Sequence, residues 1–223
     1  VYPYYENPDF LSKQIETWCS YPSALRDRLR VVVVDDGSPK HPASKVVTQK
    51  YPFPLSLFRI EVDVRWNWIA ARNIGMHVTS SDGWHVLTDM DHVVPEGTLR
   101  TLIYGVHDKD VIYRFSRIGV KEHPHPNSWF MTRAMFWRIG GYDEACSGFY
   151  GTDGDYRRRC AATAKILIMR DPLVCREHEG DASTRLYKRK QPQHAHAKKI
   201  MRARPKKGWK PRTLTFPYHE VRL

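Results

Sequence analysis

Two short segments of the chain end in carboxylates in a way that suits metal and nucleotide chemistry. The apolar run Val31–Val34 is followed directly by Asp35, Asp36 and a Gly-Ser turn. Further along, the apolar segment that ends at Thr88 leads into Asp89-Met90-Asp91. Ligands of open α/β sheets bind beyond the carboxyl ends of the strands, so we expect both carboxylate pairs to line one site.

The Asp-x-Asp pair is the candidate metal site. Alternate residues of a strand face the same side, so Asp89 and Asp91 are spaced to reach one cation. Mg²⁺ and Mn²⁺ prefer carboxylate oxygen and often keep substrate phosphates as ligands. Asp35 and Asp36 would accept hydrogen bonds from a base or a ribose, or one of them would cap the turn before Gly37. This pattern indicates a nucleotide site with a metal-bound diphosphate.

Strands and helices alternate through the first half of the chain, which favours a mostly parallel α/β sheet. Continuous apolar runs and hydrophobic periodicity predict the individual elements. The expected strands are Val31–Val34, Leu55–Val62, Trp84–Thr88, Val111–Phe115 and Lys165–Met169, and the expected helices lie within 9–30, 67–79, 96–106, 130–139 and 153–163. The segment 121–127, rich in Pro and His, is expected to be a mobile loop.

The length of 223 residues and a hydrophobic content of 41% favour one large domain. We divide it into a nucleotide-sugar-binding half (1–95), an acceptor-binding half (96–180) and a basic C-terminal arm (181–223). No apolar run reaches the roughly 18 residues of a membrane helix, and no secretory signal is recognisable. The first residue is Val1, so a lost leader stays open. Four cysteines without C-x-x-C spacing predict free thiols and a cytoplasmic location.

The net charge of +12 is concentrated in one segment. Residues 182–212 contain twelve Lys and Arg residues and no Asp or Glu, while the remaining 24 of the 36 cations balance 24 acidic residues. Such a block is typical of an arm that binds a polyanion such as nucleic acid, although a solvated surface helix is the plainer interpretation. The candidate contacts include Arg185, Lys188, Arg189, Lys190, Lys198, Lys199, Arg202 and Arg204.

Four motifs in this order carry a family resemblance: V-V-D35-D36-G-S, A71-R72-N73-x-G75, L87-T-D89-M-D91 and G140-G-Y-D143-E144. Over about residues 1–180 the chain resembles a family-2 glycosyltransferase with the GT-A fold, a Rossmann-like, mostly parallel sheet flanked by helices. The resemblance implies a nucleotide-diphosphate sugar donor of the UDP or GDP type and a divalent metal. It places Asp36, with Asp35, at the nucleoside and Arg72 near the donor. Asp89 would serve both donor and metal, and Tyr4 at the end of the first strand would flank the base.

The segment Gly151-Thr-Asp153-Gly-Asp155 resembles the family's Glu-Asp-x-Asp motif, with Thr152 where Glu is usual. This register places Asp153 at the catalytic base of inverting members, since a carboxylate can take the proton of the acceptor hydroxyl. Alternatively, Asp153 caps the following helix. Asp155 and Trp129 are candidate acceptor contacts. His178 is a candidate third metal ligand, with a plain surface or capping role as the alternative.

The sequence thus predicts a metal-dependent hexosyl- or pentosyltransferase, with inversion favoured over retention. Its basic arm suggests an anionic acceptor, and DNA with hydroxymethylated bases fits. Two alternatives remain: transfer to a glycan or lipid-linked acceptor, and a non-catalytic nucleic-acid-binding protein on the same scaffold. The sugar, the nucleotide and the oligomeric state are not indicated.

Overall fold

A computed structural model describes residues 1–79, 83–118, 124–149, 151–175, 193–204 and 208–222. Within these residues nine strands form two sheets, and helices pack against them. The helices are α1 (Pro8–Ser20), α2 (Ser23–Arg26), α3 (Trp68–Val78), α4 (Glu96–Tyr104), α5 (Arg133–Ile139), α6 (Asp153–Thr163) and α7 (Gln193–Arg202). No helix in these ranges has the length and apolar character needed to cross a membrane.

The first sheet ends at the Asp35-Asp36 pair. Its order is β1 (Tyr2–Tyr4), β2 (Val31–Asp35), β3 (Leu55–Ile60) and β9 (Tyr218–Val221). The first three strands are parallel, as predicted. Every residue of β2 is buried, which is why its sequence is a continuous valine run rather than an alternating one.

The second sheet is mixed, which differs from the expected mostly parallel arrangement. Its order is β4 (Trp84–Leu87), β7 (Trp129–Thr132), β6 (Val111–Ile118), β8 (Lys165–Cys175) and β5 (His92–Val93). Only β6 and β8 pair in parallel, while β4–β7, β6–β7 and β5–β8 are antiparallel. Strands from both sides of residue 95 share this sheet, so the two predicted halves are built into one body.

The helix predicted over 130–139 begins later than expected. Residues 129–132 form β7 in the middle of the sheet, and α5 follows from Arg133. All four residues of β7 are buried, and a short apolar run buried on both faces looks the same in a strand and in a buried helix. The Thr132 side chain caps α5 by accepting from the Met135 N–H at 3.1 Å, which sets the true start of the helix.

The C-terminal part of the predicted basic arm (181–223) contacts the body of the protein. Strand β9 pairs antiparallel with β3, and Glu144 accepts the backbone N–H groups of Leu214 and Thr215 at 2.8 and 2.6 Å. The charge pattern alone predicts the arm, whereas these strand and loop contacts depend on residues far away in the sequence. None of the four cysteines forms a disulfide, as expected.

Candidate active site

Asp35 builds the turn at the end of β2. Its carboxylate accepts the backbone N–H groups of Ser38 and Ala43, both at 2.8 Å, and pairs with Arg59 at 3.1 Å. The residue is 1% exposed. Both of its oxygens are therefore engaged within the fold, which corresponds to the capping alternative and leaves Asp36 as the carboxylate available to a ligand.

Asp36 is buried with an unused hydrogen-bonding atom. Its Oδ1 has no partner among the described residues, and the carboxylate receives a backbone hydrogen bond from Asn67. Burial, followed by the neighbouring charge of Asp35, raises the pKa of Asp36 well above its ordinary value. The side-chain amide of Asn67 is also buried without a partner at Nδ2. Unsatisfied buried polar atoms are costly, so this acceptor and donor together are suited to a polar ligand.

Arg72 in α3 orients the first carboxylate of the Asp-x-Asp motif. The side chain is completely buried, and its Nη2 donates to Asp89 Oδ1 at 2.5 Å. The guanidinium also donates to the Asn127 carbonyl and to the Tyr142 hydroxyl, and it lies 5.2 Å from the centre of the Trp68 ring. Arg72 therefore acts on the site through Asp89, since its own side chain is enclosed.

Asp89 and Asp91 lie in the turn between β4 and β5, and their side chains are 29% and 31% exposed. Asp91 Oδ1 is 2.6 Å from His92 Nδ1, and Asp89 Oδ2 is 3.4 Å from His125 Nε2. Burial opposes ionisation of Asp91, but the hydrogen bond and charge of His92 outweigh it and lower the pKa of Asp91. Both carboxylates thus contact neighbouring side chains and remain partly exposed to solvent.

Sequence reasoning missed two histidines beside these carboxylates. His92 and His125 have ring centres 4.3 Å apart, and burial lowers the pKa of His125 to about 4. His125 belongs to the Pro- and His-rich segment, of which residues 124–127 are described and lie against the site. A signal existed for His92, because it directly follows Asp91. The contact of His125 depends on tertiary structure alone.

The donor atoms at this edge fit a hard divalent cation. Two partly exposed carboxylates on one strand end are the ligands that Mg²⁺ and Mn²⁺ prefer. In addition, the ligand atoms of Asp91, His92 and Cys175 lie within 4.8 Å of one another. The predicted third ligand, His178, lies outside the described residues.

Hydrogen bonds join the second sequence motif, which contains Asn73, to the fourth, which contains Tyr142 and Glu144. The Asn73 amide donates to the Tyr142 carbonyl and to Glu144, both at 2.8 Å, and its Oδ1 accepts the Tyr142 N–H at 2.8 Å. Gly141 has a φ of +66°, and a Cβ there would lie 2.9 Å from Asn73 Oδ1. The Gly-Gly-Tyr-Asp-Glu turn therefore requires glycine at this approach.

Asp153 is the first residue of α6 and is partly exposed. Thr152 is the N-cap residue, but its side chain makes no capping bond. One turn into α6, Tyr156 stacks on Tyr142 at 3.9 Å, and Tyr142 in turn contacts Arg72. This chain of contacts links α6 to Asp89 through Tyr142 and Arg72.

The model of glycosyl transferase family 2 matches residues 1–163. The chain belongs to this family. No curated protein sequence matches it significantly.

Solved glycosyltransferase structures share the GT-A fold of this family-2 chain. S. aureus TarS 1–349 in complex with UDP-GlcNAc has a TM-score of 0.64 at 14% identity, with 82% of this chain and 59% of that chain covered. GalNAc-T7 with UDP, GalNAc and Mn²⁺ has a TM-score of 0.60 at 13% identity, covering 91% and 48%. Drosophila beta1,4galactosyltransferase 7 with xylobiose has 0.58 at 13%, covering 92% and 79%. The chain thus spans little more than half of the TarS fragment, and the predicted α/β GT-A fold is confirmed.

Three residues that the sequence predicts as donor or acceptor contacts have their partners inside the fold. Trp129 is completely buried and meets Tyr156 edge-on at 5.7 Å, so its ring offers no face to an acceptor. Tyr4 is 1% exposed and donates its hydroxyl to the His41 carbonyl at 2.5 Å rather than flanking a base. Asp155 has both oxygens paired with arginines. Burial, which local sequence does not fix, decides each case.

Arg204, a predicted polyanion contact, is paired with two acidic residues of the body. Its guanidinium pairs at 2.5 Å with both Asp143 and Asp155, lies 4.1 Å from the Trp209 ring centre and is 12% exposed. Lys198, Lys199 and Arg202 are exposed on α7. The other predicted contacts, Arg185, Lys188, Arg189 and Lys190, lie outside the described residues.

We expect Arg204→Ala to lower the free energy of unfolding by about 3 kcal/mol, since removing one partner leaves two carboxylates in a mostly buried cluster. Urea unfolding followed by circular dichroism measures the change. The matched control is Arg202→Ala, an exposed change at the end of α7 that we expect to stay within about 0.5 kcal/mol. Equal stability of the two variants would contradict a structural role for Arg204.

Proposed function

We propose that this chain transfers a sugar from a nucleotide-diphosphate donor to an acceptor hydroxyl, with Mn²⁺ or Mg²⁺ bound by Asp89 and Asp91. The observation that carries the proposal is the pair of partly exposed carboxylates at the end of β4, one of them fixed by the buried Arg72. Family membership supports the reaction class. TarS and GalNAc-T7, which are similar in fold, were solved with UDP-GlcNAc or UDP, which favours a UDP donor over a GDP donor.

Each part of the site has a task in this mechanism. Asp36 and Asn67 offer an acceptor and a donor atom to the nucleoside. Arg72 holds Asp89 in place, so the carboxylate does not reorganise when the diphosphate binds. Asp89 and Asp91 would hold a divalent cation, which would supply positive charge to the leaving diphosphate.

Asp153 acts as the base of a single displacement. It takes the proton of the acceptor hydroxyl while that oxygen bonds to the anomeric carbon and the diphosphate leaves from the opposite side. The sugar is therefore transferred with inversion. Among the described contacts the Asp153 carboxylate accepts no hydrogen bond, so it is available to the acceptor.

We infer that the acceptor is DNA carrying hydroxymethylated bases. The support is the segment 182–212, with twelve cations and no acidic residue, because binding to DNA is dominated by phosphate contacts. The hydroxymethyl group supplies the hydroxyl that Asp153 would deprotonate.

The test is a transfer screen with radiolabelled UDP- and GDP-sugars, Mn²⁺, and duplex DNA with or without hydroxymethylated bases. We expect label in the modified duplex only, and loss of labelling with chelator. Metal-dependent donor hydrolysis without labelled DNA would retain glycosyl transfer and exclude this acceptor, pointing to glycans or lipid-linked glycans. DNA binding without any donor turnover would overturn the enzyme in favour of a binding protein on the same scaffold.

A further inference from the structure

Helix α7 has one face on the body and one face in solvent. Ala197 is buried, Ile200 and Met201 pack against the core cluster around α5 and α6, and Arg204 follows in its ion pairs. The positions of Ala197, Ile200 and Met201 recur at the spacing of a single helical stripe. The cations between them, Lys198, Lys199 and Arg202, are exposed.

The exposed cations of α6 lie beside the solvent-exposed face of α7. Arg158 Nη2 lies 3.6 Å from Met201 Sδ, which sets α6 beside α7. Arg158 makes only a loose pair with Asp155 at 3.7 Å and is 71% exposed, so its guanidinium stays open to a partner. Arg157 is also exposed. Together these residues define the basic face: Arg157, Arg158, Lys198, Lys199 and Arg202.

The basic face carries little compensating charge. Residues 156–170 contain no Asp or Glu, and neither does α7. Burial and, next, the charge of Arg157 lower the pKa of Arg114 on β6. Like charges gathered in this way are stabilised by an anion bound among them.

The basic face also lies close to the proposed base. Arg157 follows Asp153 by four residues in α6, so both side chains project from the same side of the helix. Arg114, whose pKa the charge of Arg157 lowers, donates to the carbonyls of Pro124 and His125, and His125 lies 3.4 Å from Asp89. A polyanion bound to the basic face would therefore lie near the start of α6.

We propose that the exposed sides of α6 and α7 form one phosphate-binding surface that seats duplex DNA against the catalytic half of the domain. This inference rests on the proposed function for the identity of the acceptor. It extends the predicted DNA contact from the arm to Arg157 and Arg158 of the body, and it removes Arg204 from that contact.

The structure favours a phosphate backbone over a membrane surface. A helix that lies in a membrane interface needs an apolar face free to enter the lipid. The apolar residues of α7, Ile200 and Met201, are packed against the core of the domain. The charged side chains that α7 exposes to solvent are all cationic, which suits contacts with the phosphate groups of a nucleic acid.

The test is DNA binding by fluorescence anisotropy with a labelled duplex at several salt concentrations. The body variant is R157A/R158A, the helix variant is K198A/K199A/R202A, and the control is R28A, an exposed cation outside the basic face. For each lost phosphate contact we expect the slope of log K against log salt to become shallower by about 0.9. The body variant should therefore change the slope by about 1.8, and R28A should leave it unchanged.

The outcomes separate this inference from the proposed function. One contrary outcome is that R157A/R158A keeps the wild-type slope while K198A/K199A/R202A binds DNA more weakly. That result would overturn the part played by α6. Binding to anionic vesicles but not to duplex DNA would overturn the surface as proposed. Donor hydrolysis is measured on the wild-type protein and on R28A, and it should be the same in both. If the wild-type protein turns over no donor while the slopes change as expected, the surface stands and the proposed function fails.

Discussion

Asp91→Asn is expected to lower metal-dependent sugar transfer by about a thousandfold, because it removes a charged cation ligand and the charge stabilisation worth several kcal/mol that depends on it. The carboxylate is 31% exposed and held by His92, so the change affects the open side of the site without opening a cavity in the core. Initial rates with saturating Mn²⁺ give the effect on transfer, and Mn²⁺ binding followed by electron paramagnetic resonance gives the effect on the metal.

The chain contains a matched control for this variant. Asp110→Asn changes the last residue of another Asp-x-Asp sequence, whose side chain is 77% exposed and pairs only at the surface with Arg138. We expect this variant to keep wild-type rates and wild-type Mn²⁺ binding. Unchanged transfer in Asp91→Asn would contradict the assigned metal site, whatever the control does.

Asp153→Asn is expected to reduce transfer by about 100- to 10,000-fold while donor affinity and fold stability stay near wild type. The amide preserves the shape of the side chain but cannot take the proton of the acceptor hydroxyl. Single-turnover transfer with saturating donor measures the chemical step, and nucleotide binding by calorimetry measures the donor site.

The neighbouring Asp155→Asn separates catalysis from structure. Asp155 is paired with Arg204 at 2.5 Å and with Arg159 at 3.2 Å, so its loss should lower the urea midpoint of unfolding. Asp153→Asn should not move that midpoint. If Asp153→Asn lowers stability and transfer in parallel, the residue is part of the helix terminus and the base must be sought elsewhere.

The positions of the site along the chain were predictable because they depend on short local patterns. A continuous valine run is typical of a strand buried on both faces, and β2 is such a strand. Each carboxylate pair directly follows a strand, β2 in the first sheet and β4 in the second. The order of the four motifs then indicated the family, which the match over residues 1–163 confirms.

The roles of individual polar side chains were less accessible from the sequence. Asp35 and Asp36 are adjacent, yet the first caps a turn and the second keeps a buried oxygen without a partner. The difference comes from which way each side chain points from the end of β2, since successive residues of a strand face opposite sides. Arg204 and Lys199 look alike in a basic segment, but one is enclosed by acids and the other is in solvent.

By itself, the sequence determined the α/β fold, the ends of β2 and β4 and the carboxylates placed there, because hydrophobic pattern and strand geometry are local properties. Only the tertiary structure decided that β9 completes the first sheet, that His125 lies beside Asp89, and that Arg204 closes on Asp143 across 61 positions of the chain. Contacts at such separations depend on how sheets and helices pack. That packing also decides which charged groups remain open to a ligand.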